Sequence, residues 1–222
     1  MHRHSPELIP LRMDHGYLRC APDSVYWSIA PHLIQQGTES SCSLATAVML
    51  INAVRGRDGH LRTGEPVSEA SLLGKLGDVA WQAAVAPGGN GLSLIEFAAA
   101  MERALLSCEC GGTWSVTIAP VTDADAAISE LRAALIAMEN GTAGFAAANF
   151  HLDLFYGDGV DVGHFSPIGA YDPARDLVLV LDVYQKDYEP MWAPLPHLAR
   201  AMAALSGSTG EPRGYAVVQR SK

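Results

Sequence analysis

The chain has 222 residues, 49% of them hydrophobic and 18% charged, with a net charge of −9. That is enough apolar material for one domain with a real core, while the acidic balance and the lack of any Lys/Arg cluster leave no candidate nucleic-acid surface. No apolar run is long enough to span a bilayer, and residues 1–7 lack the apolar core of a signal peptide, so a cytoplasmic protein is expected.

Residues 1–32, punctuated by Pro6, Pro10, Pro22 and Pro31, read as an irregular arm. A loop of small and polar residues at 36–41 then runs into an apolar stretch, 42–54, which is apolar on most faces and predicts a central buried helix. A loop at 56–66 and a short helix at 68–76 follow. The Gly-rich turn at 87–91 is too short and wrongly placed to cradle a phosphate. Leu94, Phe97, Ala98 and Met101 stand at helical spacing and predict a helix over 92–106. Alternation at 114–118 predicts a strand, and the stripe Ile128, Leu131, Leu135, Met138 predicts a helix over 123–138 with acidic residues in its first turn. A buried strand at 144–150, two strands flanking a turn at 172–176, a helix at 196–205 and a strand at 215–219 complete the chain. Helices come mostly first and strands later. The expected architecture is a single α+β domain over 1–222, with a helical lobe at about 33–140 packed on an antiparallel sheet lobe at about 141–222.

The chemistry concentrates at three places. Cys42 stands where the 36–41 loop meets the helix, so its sulfur lies near a helix N-terminus, where free N–H groups and the dipole favour thiolate over thiol. Gln36 lies six positions earlier, the spacing at which papain-like enzymes set a Gln that binds an oxyanion together with the Cys backbone N–H. A buried structural Cys is the bland alternative. Further on, His164 opens one predicted strand and Asp182 ends the next. Antiparallel pairing across the intervening turn brings the two side by side. An Asp beside a His fixes its tautomer and stabilises the imidazolium, and a Cys, a base and an orienting carboxylate make a nucleophilic triad.

These residues carry a resemblance. The chain resembles phytochelatin synthases of the short bacterial type, which are papain-like. Gln36, Cys42, Leu44, Ala45, Asn52 and Ala53 fit a Q-x5-C-G-L-A-S-x5-N-A pattern, and Gly-His-Phe-Ser-Pro-Ile-Gly at 163–169 fits without change. Leu-Asp-Val at 181–183, Tyr188, Pro190, Trp192 and Pro194-Leu195 follow, and Thr209-Gly210 with Arg213-Gly214-Tyr215 fits a Thr-Gly-x-x-Arg-Gly-aromatic element. The resemblance implies a papain-like fold, a Cys42–His164–Asp182 triad, Gln36 as oxyanion donor, and substrate contacts from Ser166, Gln185, Lys186 and Tyr188. It implies acyl transfer through a thioester: glutathione is cleaved to γ-Glu-Cys and glycine, or γ-glutamylcysteine is passed to an acceptor. No cofactor is expected. A heavy metal such as Cd²⁺ or Zn²⁺ would enter as the metal–thiolate form of the substrate.

The departures matter as well. Ser43 replaces the family's Gly after the nucleophile, and the Pro between Gln and Cys is missing. Gln185 stands where glutathione-cleaving members carry an Arg, and 150–156 contains no Arg or Lys where they carry another. A neutral Gln does not replace a bidentate Arg–carboxylate contact, and Lys186 is not an equivalent donor. An amide-forming acyltransferase using another acyl donor, such as a thioester, with a small amine acceptor therefore stands as the alternative, and a catalytically silent binding module as a third reading. The expected partner is a small thiol or acyl substrate, with neither nucleic acid nor membrane; a homodimer is compatible. Of the four cysteines, Cys108 and Cys110 form a Cys-x-Cys pair able to meet a soft metal, though it is too short for the usual knuckle and has no second pair. His2 and His4 could hold adventitious metal. Disulfides are not expected in a reducing compartment.

Overall fold

The computed structural model describes residues 5–221 apart from 63, 206, 208 and 209. In chain order, the arm contributes β1 (Ile9–Pro10), α1 (Gly16–Cys20) and α2 (Tyr26–Ile29), and α3 (Cys42–Arg57) follows. Next come α4 (Glu69–Leu76), α5 (Val79–Val85), α6 (Leu94–Ser107), β2 (Trp114–Pro120) and α7 (Ala124–Glu139). The second half holds β3 (Phe145–His151), α8 (Leu152–Tyr156), β4 (Gly163–Asp172), β5 (Leu177–Val180), β6 (Met191–Pro194), α9 (Leu195–Met202) and β7 (Gly214–Arg220). The molecule is α+β, with one seven-stranded antiparallel sheet in the order β1-β6-β5-β4-β3-β7-β2.

Local signals set several boundaries. Ser68 and Ser93 each close a capping box at the start of α4 and α6, with Ser71 and Glu96 reaching back. Asp123 caps α7 through the N–H groups of Asp125 and Ala126. The segment 42–54 is buried throughout as expected, and α3 packs across β4 at the centre of the sheet. Neighbouring side chains of β4 point to opposite faces. Phe165 stacks on Phe97 of α6 at 4.5 Å between ring centroids, while His164 meets Phe150 edge-on at 5.5 Å.

Several features differ from the sequence reading. The arm is not irregular: β1 pairs with β6, the Trp192 indole donates to the Asp14 carbonyl at 3.0 Å, and the Leu11 N–H donates to the Pro190 carbonyl at 2.8 Å. Its order comes from partners some 180 positions later, which no local pattern reveals. β2, which precedes residue 140, pairs along its whole length with β7 and forms the sheet's far edge, so the sheet draws on both halves of the chain. The helix expected at 196–205 ends at Met202, and α5 and α8 are too short to show a period. His2, His4 and Thr209 lie outside the described residues.

Asn52 links the central helix to the 65–68 loop. Its amide donates to the Val67 carbonyl at 2.9 Å and its carbonyl accepts from the Val67 N–H at 2.8 Å, both buried. Asn52→Ala leaves two buried backbone groups unpaired. The expected loss is about 2–4 kcal/mol, a fall of roughly 5–15 °C in Tm, read by thermal and urea unfolding.

Candidate active site

The first residue of α3 is Cys42, which is 7% exposed. The loop before it is braced from four segments. Thr38 Oγ1 donates to the Val85 carbonyl and Ser40 Oγ to the Gly89 carbonyl, each at 2.6 Å, and the Gly88 N–H donates to Glu39 at 2.7 Å. Glu69 of α4 accepts from the Gly37 N–H at 3.4 Å and bonds the Ser41 hydroxyl; burial raises its pKa. The Gln36 N–H donates to the Val183 carbonyl at 2.8 Å, which ties the start of this loop to the residue after Asp182.

The β4–β5 hairpin performs the expected juxtaposition. Ile168 pairs with Val180, the Leu181 N–H donates to the Pro167 carbonyl, and Asp182 reaches His164: Nε2 to Oδ1 is 3.0 Å. With Nε2 occupied, Nδ1 is the ring nitrogen left to face Cys42, which lies near enough to contribute to the raised pKa of His164. His164 is 3% exposed and Asp182 fully buried. Burial alone would lower the pKa of His164, but the charge and hydrogen bond of Asp182, then Cys42, push it up to about 10. Burial likewise opposes charge on Asp182, yet its pKa is lowered, because His164, Tyr156 and the Tyr184 N–H all donate to the carboxylate. Tyr156 binds Oδ2 at 2.7 Å and the Tyr184 N–H binds Oδ1 at 2.7 Å. The folded state therefore favours an imidazolium–carboxylate pair beside the Cys42 sulfur.

The other expected site residues are placed less uniformly. The Gln36 amide is directed into its own loop, donating to the Thr38 carbonyl at 2.8 Å and the Glu39 carbonyl at 3.2 Å, while its Oε1 is buried without a partner. Ser166 lies two residues beyond His164 on β4, fully buried, its hydroxyl also unpartnered. Gln185 and Lys186 are exposed in the turn after Asp182, where the Lys186 N–H donates to Gln35 Oε1 at 2.8 Å. Tyr188 is occupied: its hydroxyl donates to Asp158 at 2.6 Å and its ring stacks on Tyr156 at 4.1 Å. It supports the residue that holds Asp182.

Two contributors escaped the sequence reading. Tyr156 stands in a segment with no strong pattern, and only the fold brings it to Asp182. Arg213, buried, has its guanidinium so close to Gly163 that a Cβ there would lie 3.1 Å from Nε. Its Nη1 donates to the Ala204 carbonyl at 2.9 Å. This cation adjoins the residue before His164, and its place in the Arg-Gly-aromatic element was the available signal.

All four cysteines are free thiols. Cys108 and Cys110 are buried in the turn closing α6, where Cys110 donates to the Cys108 carbonyl and burial pushes its thiol up to about 11. Among the described residues no group of three or more His, Cys, Asp or Glu could hold a metal ion, and no helix is long and apolar enough to cross a membrane.

The phytochelatin synthase family model matches residues 16–215. Glutathione gamma-glutamylcysteinyltransferase 1 of Arabidopsis thaliana is 42% identical over 73 residues, 33% of this chain and 15% of that protein. Transferase 3 of Lotus japonicus is 48% identical over 60 residues, 27% of this chain and 12% of that protein. The Schizosaccharomyces pombe enzyme is 24% identical over 200 residues, 87% of this chain and 43% of that protein. The chain thus spans less than half the length of these curated relatives. With the family model matched over nearly the whole chain, Cys42, His164 and Asp182 within the match, the chain belongs to the phytochelatin synthase family.

Proposed function

We propose that this protein is a papain-like cysteine acyltransferase that takes the γ-glutamylcysteinyl group from glutathione. The observation that carries the reading is the buried His164–Asp182 pair, bonded at 3.0 Å, with the buried Cys42 at the start of α3 beside it. Membership of the phytochelatin synthase family and likeness to glutathione gamma-glutamylcysteinyltransferases support the donor.

In this mechanism Cys42, its proton passed to His164, attacks the Cys–Gly carbonyl of glutathione as a thiolate. His164 gives its proton to the departing glycine amine, leaving a thioester on Cys42. It then deprotonates water or the amine of a second glutathione, and the thioester is cleaved. The oxyanion lies at the helix N-terminus, where the first N–H groups lack intrahelical partners. For Gln36 to contribute, its amide must exchange a loop carbonyl for the oxyanion, so its present bonds make it a latent donor. Arg213 supplies the carboxylate contact that Gln185 cannot. A soft metal ion enters only on the substrate's thiolate. The exposed, neutral Gln185 favours the second reading, an acyltransferase with a different donor.

Intact mass spectrometry of the protein quenched during reaction with glutathione should show a γ-Glu-Cys adduct on Cys42, with glycine released. Cys42→Ala should lose the adduct and all turnover while folding normally; an adduct elsewhere, or turnover within tenfold of wild type, sinks the mechanism. A different acyl mass on Cys42 after offering acyl thioesters, with none from glutathione, selects the second reading.

Arg213→Gln should raise KM for glutathione about ten- to a hundredfold, the loss of one charged hydrogen bond, with a smaller change in kcat. Unchanged KM in a folded variant removes Arg213 from the substrate site.

The charge pair also predicts a pH-dependent stability. His164 has a raised pKa in the folded state, so its contribution is complete below the ordinary imidazole value of 6.5 and is lost as pH climbs toward about 10. Asp182 has a lowered pKa, so its contribution is complete above the ordinary carboxylate value of 3.8 and is lost as pH falls below it. The Tm gap between wild type and Asp182→Asn should be widest between those two ordinary values and shrink on both sides. A gap that stays flat from acid to alkaline pH contradicts an ionised pair.

A further inference from the structure

We propose that Tyr156 is a positioning residue for the acyl transfer: its hydroxyl, donated to Asp182 Oδ2 at 2.7 Å, fixes the carboxylate so that Oδ1 stays aligned on His164 Nε2. The assignment rests on the reading of Cys42, His164 and Asp182 as the reacting set.

The geometry is restrictive. Tyr156 is fully buried at the last position of α8, which ends at once because Gly157 takes a left-handed conformation at φ 74°. Its ring stacks on Tyr188 at 4.1 Å with planes 10° apart, and Phe155 meets it edge-on at 4.8 Å. The Ser5 N–H donates to its backbone carbonyl at 2.6 Å. A ring held on these sides has little freedom to swing its hydroxyl away from Asp182.

The chemistry of the carboxylate gives that hydroxyl a task beyond packing. Oδ1 takes two donors, His164 Nε2 and the Tyr184 N–H, while Oδ2 takes Tyr156. Without the third bond, a fully buried carboxylate would be free to turn toward other donors and would bind a proton more readily. Either change weakens the acceptor on which the imidazolium depends. The titratable groups facing this pair are His164, with Cys42 behind it, on one side, and Tyr188 and Asp158 on the other.

Tyr156→Phe removes the hydroxyl and keeps the ring. The expected result is a fall in kcat of about ten- to a hundredfold with KM for glutathione within about threefold. The acid limb of the rate profile should move to higher pH, because Asp182 then protonates more easily. Iodoacetamide alkylation of Cys42, followed against pH without substrate, should show the same displacement. A folded Phe variant with unchanged kcat and an unchanged alkylation profile would overturn the proposal. If wild type does not turn over glutathione, the donor reading fails and the alkylation profile alone decides on Tyr156. If Phe at 156 does not fold, 3-fluorotyrosine at that site is the graded substitute. As a stronger donor of nearly the same shape it should move the acid limb to lower pH, and an unmoved limb would equally overturn the proposal.

Discussion

A carboxylate and an imidazole lie side by side beneath the surface, Asp182 fully buried and His164 nearly so. Taking two charges out of water is costly, and their mutual attraction offsets that cost only when the geometry is tight and the remaining lone pairs are satisfied. The structure around them answers this constraint. The β4–β5 hairpin sets the distance, the Tyr184 N–H and the Tyr156 hydroxyl fill the other acceptor positions of Asp182, and Asn149 holds the His164 carbonyl at 3.3 Å. A network of this kind is strong when complete and unfavourable when one member is missing.

The nucleophile reaches this pair by a different route. The helix α3 is buried along most of its length, so its axis is fixed by apolar packing and not by a polar face. Its N-terminus is then adjusted by the 36–41 loop, held by carbonyls of α5 and the 87–91 turn, by Glu69, and by the backbone next to Asp182. The Gln36 amide belongs to that bracing, which is why it is found on loop carbonyls. One segment thus serves both the position of the sulfur and the environment where an oxyanion would form.

Around this centre the departures from the family pattern fall in separate places. Ser43 is fully buried, and its hydroxyl accepts from the Trp81 indole at 3.3 Å, a bond that Gly could not make. Gln185 lies in the exposed turn and Tyr188 faces inward, so the segment after Asp182 divides between surface and support. Arg213 arrives from the start of β7 and brings its charge beside Gly163, where a side chain would have blocked it.

The sequence by itself determined the elements with strong local patterns: the uniformly apolar run of α3, the helical stripes of α6 and α7, and the turn-bounded apolar strands of the β4–β5 hairpin. It also determined that Cys42 opens a helix and that His164 and Asp182 meet, because a helix junction and a two-strand turn are local features whose geometry follows from spacing. Tertiary structure decided what depends on partners distant in the chain. The two-residue β1 gains its order from β6, β2 joins the sheet through β7, and the arm is held by Asp14 and Glu7 against residues 175 to 200. It also decided that Tyr156 would hold Asp182, that Tyr188 would stack on Tyr156, and that Gln36 would bond its own loop. Side-chain hydrogen bonds between distant segments leave no periodic trace in sequence. They appear only once packing has fixed the distances over which a donor can reach.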